Sequence, residues 1–266
     1  MFNTLISLDL LQSTDPKPRV FDCRARLDDP SWGARAYAEG HIPGALHASL
    51  DEDFAAPPGS GGRHPLPDPS ALQAKFRSWG VNDGDQLVFY DDAGGAFAAR
   101  AWWCARWLGH EAAAVLDGGL DAWTAPLTRA VPEVTPGNFS IRPSLTRTID
   151  AQTLLHRLPE AVLIDARSEP RFRGEEEPID PVAGHIPGAV CLPFQGNLDG
   201  DGRFRTPTEL AERFRGMPED VICYCGSGVT AAHNVLSMRV AGLPEPLLYP
   251  GSWSEWLLDP DRPRAR

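Results

Sequence analysis

The chain carries the same message twice. VFDCRARLDDPSWGARAYAEGHIPGALHASL runs from Val20 to Leu50, and LIDARSEPRFRGEEEPIDPVAGHIPGAVCLPF runs from Leu163 to Phe194. Each opens on an apolar run that ends Asp-x-Arg (Asp22 and Arg24, then Asp165 and Arg167), and each reaches His-Ile-Pro-Gly-Ala, at His41 and at His185. A second pair follows. QLVFYDDAGGAF begins a stretch that ends at Trp123, and DVICYCGSGVTA begins one that ends at Trp256, with Tyr90 matching Tyr224. Four landmarks in one order, at nearly equal spacing, require two copies of one domain, and 266 residues is the right length for two. The reading is a first copy over 1–125, a linker over 126–145 and a second copy over 146–266. The linker, PLTRAVPEVTPGNFSIRPSL, is rich in Pro and Thr and has no period. It is expected to continue as an ordered strand packed across both domains.

Within each copy the pattern is strand, loop, helix. VLIDA and VICYC are short β-branched runs of the buried-strand type. PTELAERFRGM, 207–217, reads as a helix with Thr206 as N-cap and Pro207 at its first position. GVTAAHNVLSMRVAG reads as a second helix, closed by Gly242. Strands alternating with helices predict an α/β fold in each copy: a mostly parallel sheet with helices on both faces.

The net charge of −11 argues against nucleic acid and anionic membrane as partners. No stretch approaches the ~18 apolar residues of a membrane span. The start, MFNTLISLDLLQSTDPKPRV, lacks a basic n-region and has Asp9 inside its apolar part, so no signal peptide is expected. The five cysteines, Cys23, Cys104, Cys191, Cys223 and Cys225, form no disulfide framework; the expectation is free thiols in a reducing cytoplasm. No P-loop or dinucleotide fingerprint is present, and no cofactor is expected.

The chemistry concentrates at CYCGSGVTAAHN, residues 223–234. Cys225 ends a strand and opens a glycine-rich turn into a helix, the edge of a parallel sheet where ligands bind. Glycines let successive N–H groups converge on one point, and the helix N-terminus adds partial positive charge. Both favour negative charge on the sulfur and suit it to nucleophilic attack. The first copy has Asp91 at the matching position, in VFYDDAGGAF, so one copy reads as active and the other as scaffold. A cysteine phosphatase needs Cys-x5-Arg, but Ala231 stands where the arginine belongs. A metal clip is also disfavoured: Cys-x-Cys is poor zinc spacing and no second pair completes it. Cys223 reads as a small buried hydrophobe.

With its two copies, two HIPGA motifs and CGSGVTA, the chain resembles the tandem-domain rhodanese-type sulfurtransferases over nearly its whole length. The resemblance implies that Cys225 takes a sulfur atom as a persulfide and passes it to cyanide or a thiol, with the amides of Gly226, Gly228, Val229 and Thr230 cradling it. A neutral Gly-Ser-Gly loop implies 3-mercaptopyruvate as donor. The alternatives are thiosulfate by the same mechanism, or a persulfide carrier without small-molecule turnover. Ser227 is implied to act with a histidine and an aspartate of the first domain, carried over as His41 and Asp29. Arg171 is implied to hold the donor's carboxylate, with a second arginine expected about nine positions on, where Ile179 falls. A thioredoxin-like reductant is a further expected partner, and a monomer is expected.

Each residue also has a structural reading. Ser227 is small enough simply to fit the turn, and His41 and His185 suit the capping of a turn. Asp22, Arg24, Asp165 and Arg167 suit paired charges at strand ends. Glu175–Glu177 suits an exposed acidic face. Trp102, Trp103 and Trp107 suit domain-interface core, Trp253 and Trp256 suit core, and His64 in GGRHPLP suits a turn.

Overall fold

The computed structural model describes residues 1–266, and they divide into two compact units. The first comprises Met1–Ala56, Pro67–Leu145 and Gly200–Phe204; the second comprises Pro57–Leu66, Thr146–Asp199 and Arg205–Arg266. The first unit holds β1 (Leu5–Ile6), β2 (Arg19–Asp22), β3 (Leu46–His47), β4 (Leu87–Tyr90) and β5 (Ala113–Leu116), in sheet order β1-β5-β4-β2-β3. The second holds β6 (Arg147–Thr148), β7 (Leu163–Asp165), β8 (Ala189–Cys191), β9 (Ile222–Tyr224) and β10 (Leu247–Leu248), in order β6-β10-β9-β7-β8. Every pairing is parallel, and the two orders are the same order. The repeat in sequence is therefore a repeat of topology, in the α/β class expected.

Parallel strands need crossovers, and these put cover on both faces of a sheet. In the first unit Val20, Val88 and Tyr90 bury one face with Ile6, Ala114 and Leu116. Their neighbours Phe21 and Phe89 stack at 5.2 Å on the other face, with Phe54, Phe76 and Trp79 around them. In the second unit Leu163, Ile222 and Tyr224 pack with Leu154, Trp253 and Trp256. Ile164 and Cys223, one residue along, are buried on the opposite face.

The Asp-x-Arg motif closes the strand that carries it. Asp22 takes hydrogen bonds from Arg24 and from the Tyr90 hydroxyl, while Arg24 also bonds the carbonyls of Ala36 and Gly40. Asp165 and Arg167 repeat this, Arg167 reaching the Gly184 carbonyl. The Tyr hydroxyls accept from Ile42 N–H and Ile186 N–H, which ties each HIPGA turn to its sheet.

The helix expected over 207–217 has the capping box at Thr206 and Glu209 but spans Pro207–Arg213. It stops ahead of Gly216 and Pro218, which no helix continues through. The helix after Cys225 spans Thr230–Val240, and its positions Ala231–Met238 are all buried. The segment 126–145 forms no strand; its one ladder contact is an isolated bridge between Thr128 and His41. Its four prolines, Pro126, Pro132, Pro136 and Pro143, remove N–H groups a strand would need. The segment is anchored in the first unit by Phe139, fully buried against Phe76. No helix of either unit is long and apolar enough to cross a membrane.

Candidate active site

Cys225 follows the last residue of β9, and the turn after it is pinned from one side by residues 249–254. Cys225 N–H donates to Ser252 Oγ at 3.1 Å, and that hydroxyl donates to the Tyr249 carbonyl at 2.9 Å. Trp253 N–H and Ser254 N–H donate to the carbonyls of Cys225 and Gly226. Ser252 holds φ at 54°, a left-handed value that serine rarely adopts, and this aims its hydroxyl at both groups. Gly228 turns back, with φ at +77°, and donates its N–H to Cys225 Sγ at 3.1 Å. Only glycine fits there, because a Cβ would lie 2.2 Å from the Pro250 carbonyl oxygen. A sulfur held against a backbone donor at the mouth of a helix is placed to carry negative charge. Val229 is buried at the N-cap of that helix, and Thr230 is its first residue.

The other four cysteines are differently placed. Burial pushes the thiols of Cys23, Cys104 and Cys223 above their ordinary range and that of Cys191 up to about 11. All five are free, and Cys223 is the buried small residue expected.

Two side chains from the segment Pro57–Leu66 complete the second unit. His64 Nδ1 lies 2.7 Å from Ser227 Oγ, with His64 buried. Arg63 N–H donates to Ser254 Oγ, and its guanidinium pairs with Asp180. Arg171, six residues before Glu177, bonds it through Nε and Nη2 and reaches Asp180 at 3.1 Å. Burial alone would raise the Glu177 carboxyl, but hydrogen bonds from Arg171 and from Asp180 and Ile179 N–H overcome it, and its pKa lies below the ordinary value. Glu177 is thus a buried counter-ion, not part of an exposed acidic face.

Cys225, Gly226, Ser227, Gly228, Val229, Thr230 and Arg171 come together in the second unit. His41 and Asp29, expected beside Ser227, lie in the first unit and bond other partners there, and the histidine on Ser227 is His64 instead. His41 is buried in the first unit, stacked on Tyr37 at 3.8 Å, with Nδ1 2.8 Å from the Tyr37 carbonyl and Nε2 3.2 Å from that of Ala130. His185 does the same work in the second unit, stacked on Phe172 with Nδ1 2.8 Å from its carbonyl. The HIPGA histidine is a fixture of the repeat. Asp29 is exposed and pairs with Arg35 and Ser31, which hold its carboxyl down to about 2. The ring on Ser227 belongs to His64, and the guanidinium that shares Asp180 with Arg171 belongs to Arg63. Ile179 is exposed, and the residue after it is a carboxylate, Asp180. Nothing local in GGRHPLP announces this, because its partners lie far along the chain.

Asp91 supplies the contrast. Its carboxylate accepts four backbone N–H bonds, from Ala93, Gly95, Phe97 and Ala98, each 2.8 Å. The first copy keeps the converging amides but fills them with its own carboxylate, whereas the second directs an amide to a sulfur.

Both halves match the model of the rhodanese-like domain, over residues 8–126 and 150–259. A probable 3-mercaptopyruvate sulfurtransferase of Pseudomonas aeruginosa is 53% identical over 95% of this chain and 93% of its own length. A putative thiosulfate sulfurtransferase of Mycobacterium tuberculosis is 40% identical over 97% and 93%. The crystal structure of a 3-mercaptopyruvate sulfotransferase of Escherichia coli superposes with a TM-score of 0.80 at 32% identity, covering 95% of this chain and 100% of that one. With two matched domains and relatives alike over 93% of their own length, the chain belongs to the rhodanese-like family and is a sulfurtransferase.

Proposed function

We propose that the protein moves a sulfur atom from 3-mercaptopyruvate to a thiophilic acceptor through a persulfide on Cys225. The observation that carries this is the Gly228 N–H on Cys225 Sγ beside the hydrogen-bonded pair His64 and Ser227. The Cys225 thiolate attacks the donor's thiol sulfur and an S–S bond forms. The C–S bond breaks, and its electron pair goes to carbon as the enolate of pyruvate. Ser227, backed by His64, delivers the proton that converts the enolate to pyruvate. The outer sulfur of the persulfide remains at the loop amides. Cyanide or a thiolate then attacks that sulfur, the S–S bond breaks, and Cys225 leaves as the thiolate. Arg171 binds the donor's carboxylate. Five free thiols suit a reducing cytoplasm and a thioredoxin-like dithiol among the acceptors.

Thiosulfate is the second reading, favoured by the name of the Mycobacterium tuberculosis relative. The test is sulfur transfer to cyanide from each donor at equal concentration, with Cys225→Ser alongside. The proposal expects a preference for 3-mercaptopyruvate and no transfer by the serine variant. A preference for thiosulfate reverses the donor assignment. Turnover retained by Cys225→Ser overturns the mechanism, and binding without turnover makes the protein a carrier.

A further inference from the structure

We infer that Arg205 and Arg213, with the Thr208 hydroxyl, form a binding site on the second unit for a tetrahedral oxyanion of the phosphate or sulfate class. The site uses none of the residues of the Cys225 turn and does not depend on the reading of that turn.

The repeat exposes an unmatched charge. The helices Pro69–Ser78 and Pro207–Arg213 begin alike, each capped by a side chain, of Asp68 and of Thr206, with proline next. Seven residues after the cap each carries a cation, Lys75 in one and Arg213 in the other. In the first unit Lys75 is neutralised by Asp53, 2.7 Å away, and Asp53 stands twelve residues after His41. Twelve residues after His185 the second copy has Asn197, and Arg213 Nε donates to its amide oxygen at 2.9 Å. The contact is kept and the negative charge is gone. Arg213 forms no ion pair, and burial together with the neighbouring Arg205 pushes its guanidinium below the ordinary pKa.

Unused donors line one hollow. Gly196, Arg205, Thr208, Glu209, Glu212 and Arg213 surround an open space of about 700 Å³. Arg213 holds the turn Phe194–Asn197 through Nε and through Nη2, which donates to the Pro193 carbonyl at 2.8 Å, and Nη1 is left over. The guanidinium lies against Gly196, where a Cβ would come 2.7 Å from Nη1. Arg205 uses Nε on the Gly196 carbonyl, and its nearest carboxylate, Glu209, is 3.8 Å from Nη1, beyond a hydrogen bond. The Thr208 hydroxyl bonds nothing in the protein. Both carboxylates on the hollow are engaged: Glu209 accepts from the N–H and the hydroxyl of Thr206, and Glu212 pairs with Arg215. Bracing the turn accounts for two donors of Arg213, but not for a second arginine set beside it at the cost of like-charge repulsion. An oxyanion accepts from both guanidinium groups and the hydroxyl at once and balances the charge that Asn197 leaves unmatched.

The test is calorimetric titration of inorganic phosphate into the full chain at low ionic strength, in wild type, Arg205→Gln, Glu209→Gln and Arg171→Gln. Sulfate is expected to displace the phosphate, and chloride at equal ionic strength is not. Arg205→Gln is expected to weaken phosphate binding about tenfold, as loss of a charge-assisted bond does. Glu209→Gln keeps a side-chain oxygen for the cap at Thr206 and removes one negative charge, so it is expected to tighten binding about threefold, an effect that fades with added salt. A disturbed fold would not bind more tightly. Arg171→Gln is expected to leave the affinity as it was. Binding that Arg171→Gln abolishes while the other two variants leave it unchanged would put the ion at the Cys225 turn and overturn the inference. So would the absence of binding at millimolar phosphate, or an affinity indifferent to Arg205→Gln. If sulfur transfer through Cys225 fails while phosphate binds as described, the proposed function falls and this site stands.

Discussion

What a histidine does is decided by what its ring nitrogens face. His41 and His64 are both buried in the folded chain, but the nitrogens of His41 meet backbone carbonyls and Nδ1 of His64 meets a hydroxyl. A carbonyl has no proton to exchange, whereas Ser227 has one. His64→Ala is therefore expected to lower kcat for 3-mercaptopyruvate by about 10²-fold with little change in KM. His41→Ala is expected to lower the melting temperature, through the loss of about 1–3 kcal/mol of buried bonding, and to leave kcat/KM of the folded protein as it was. Melting curves and steady-state rates on both variants distinguish them. Cys225 was legible in the sequence because its setting is local, a strand, a glycine turn and a helix within a dozen residues, whereas Ser227 and Arg171 were singled out by the family resemblance. His64 and Arg63 were not, because the separations to Ser227 and Asp180 are 163 and 117 residues. A pair so distant along the chain leaves no spacing to read.

At the scale of the element, the turn from β9 into the helix Thr230–Val240 decides the site. Gly228 and Gly242 both hold left-handed φ, at +77° and +72°, on either side of that helix. They differ in their surroundings: a Cβ on Gly228 meets the Pro250 carbonyl, while nothing lies within 4 Å of one on Gly242. Gly242→Ala is expected to cost about 1 kcal/mol of stability and no activity. Gly228→Ala adds overpacking of about 1–3 kcal/mol to the same backbone strain, and moves the N–H off Cys225 Sγ, so transfer falls with stability. Denaturant titration with rates on both variants checks this. The central strands were legible from their unbroken apolar runs, and the start of the helix at Pro207 from its Thr206 cap. The end of the helix at Arg213 was not, since packing decides whether a last turn forms. The strand expected within 126–145 was misread from ordered, extended chain that has no edge to pair with along its length.

At the scale of the molecule, duplication left one copy with a nucleophile and the other with a carboxylate in its place. The duplication was legible from the repeat and the mostly parallel α/β class from alternating strands and helices, while the strand order was not. The assignment of 57–66 to the second unit was not, because those residues lie within the first copy in the chain, between segments that belong to the first unit. The carboxylate of Asp91 already occupies the four N–H groups of its turn, and that turn has no arginine or serine matching Arg171 and Ser227. Asp91→Cys is expected to lower the melting temperature by stripping those bonds and to create no second sulfur-accepting site. Twice the persulfide per chain in that variant would contradict this.

The most direct measurement is the mass of the intact protein, and of its cysteine peptides, after exposure to 3-mercaptopyruvate with no acceptor present. The account predicts a gain of one sulfur atom, confined to the peptide that carries Cys225 and removed by cyanide. Sulfur on any other cysteine, or continued turnover with none on Cys225, would contradict it.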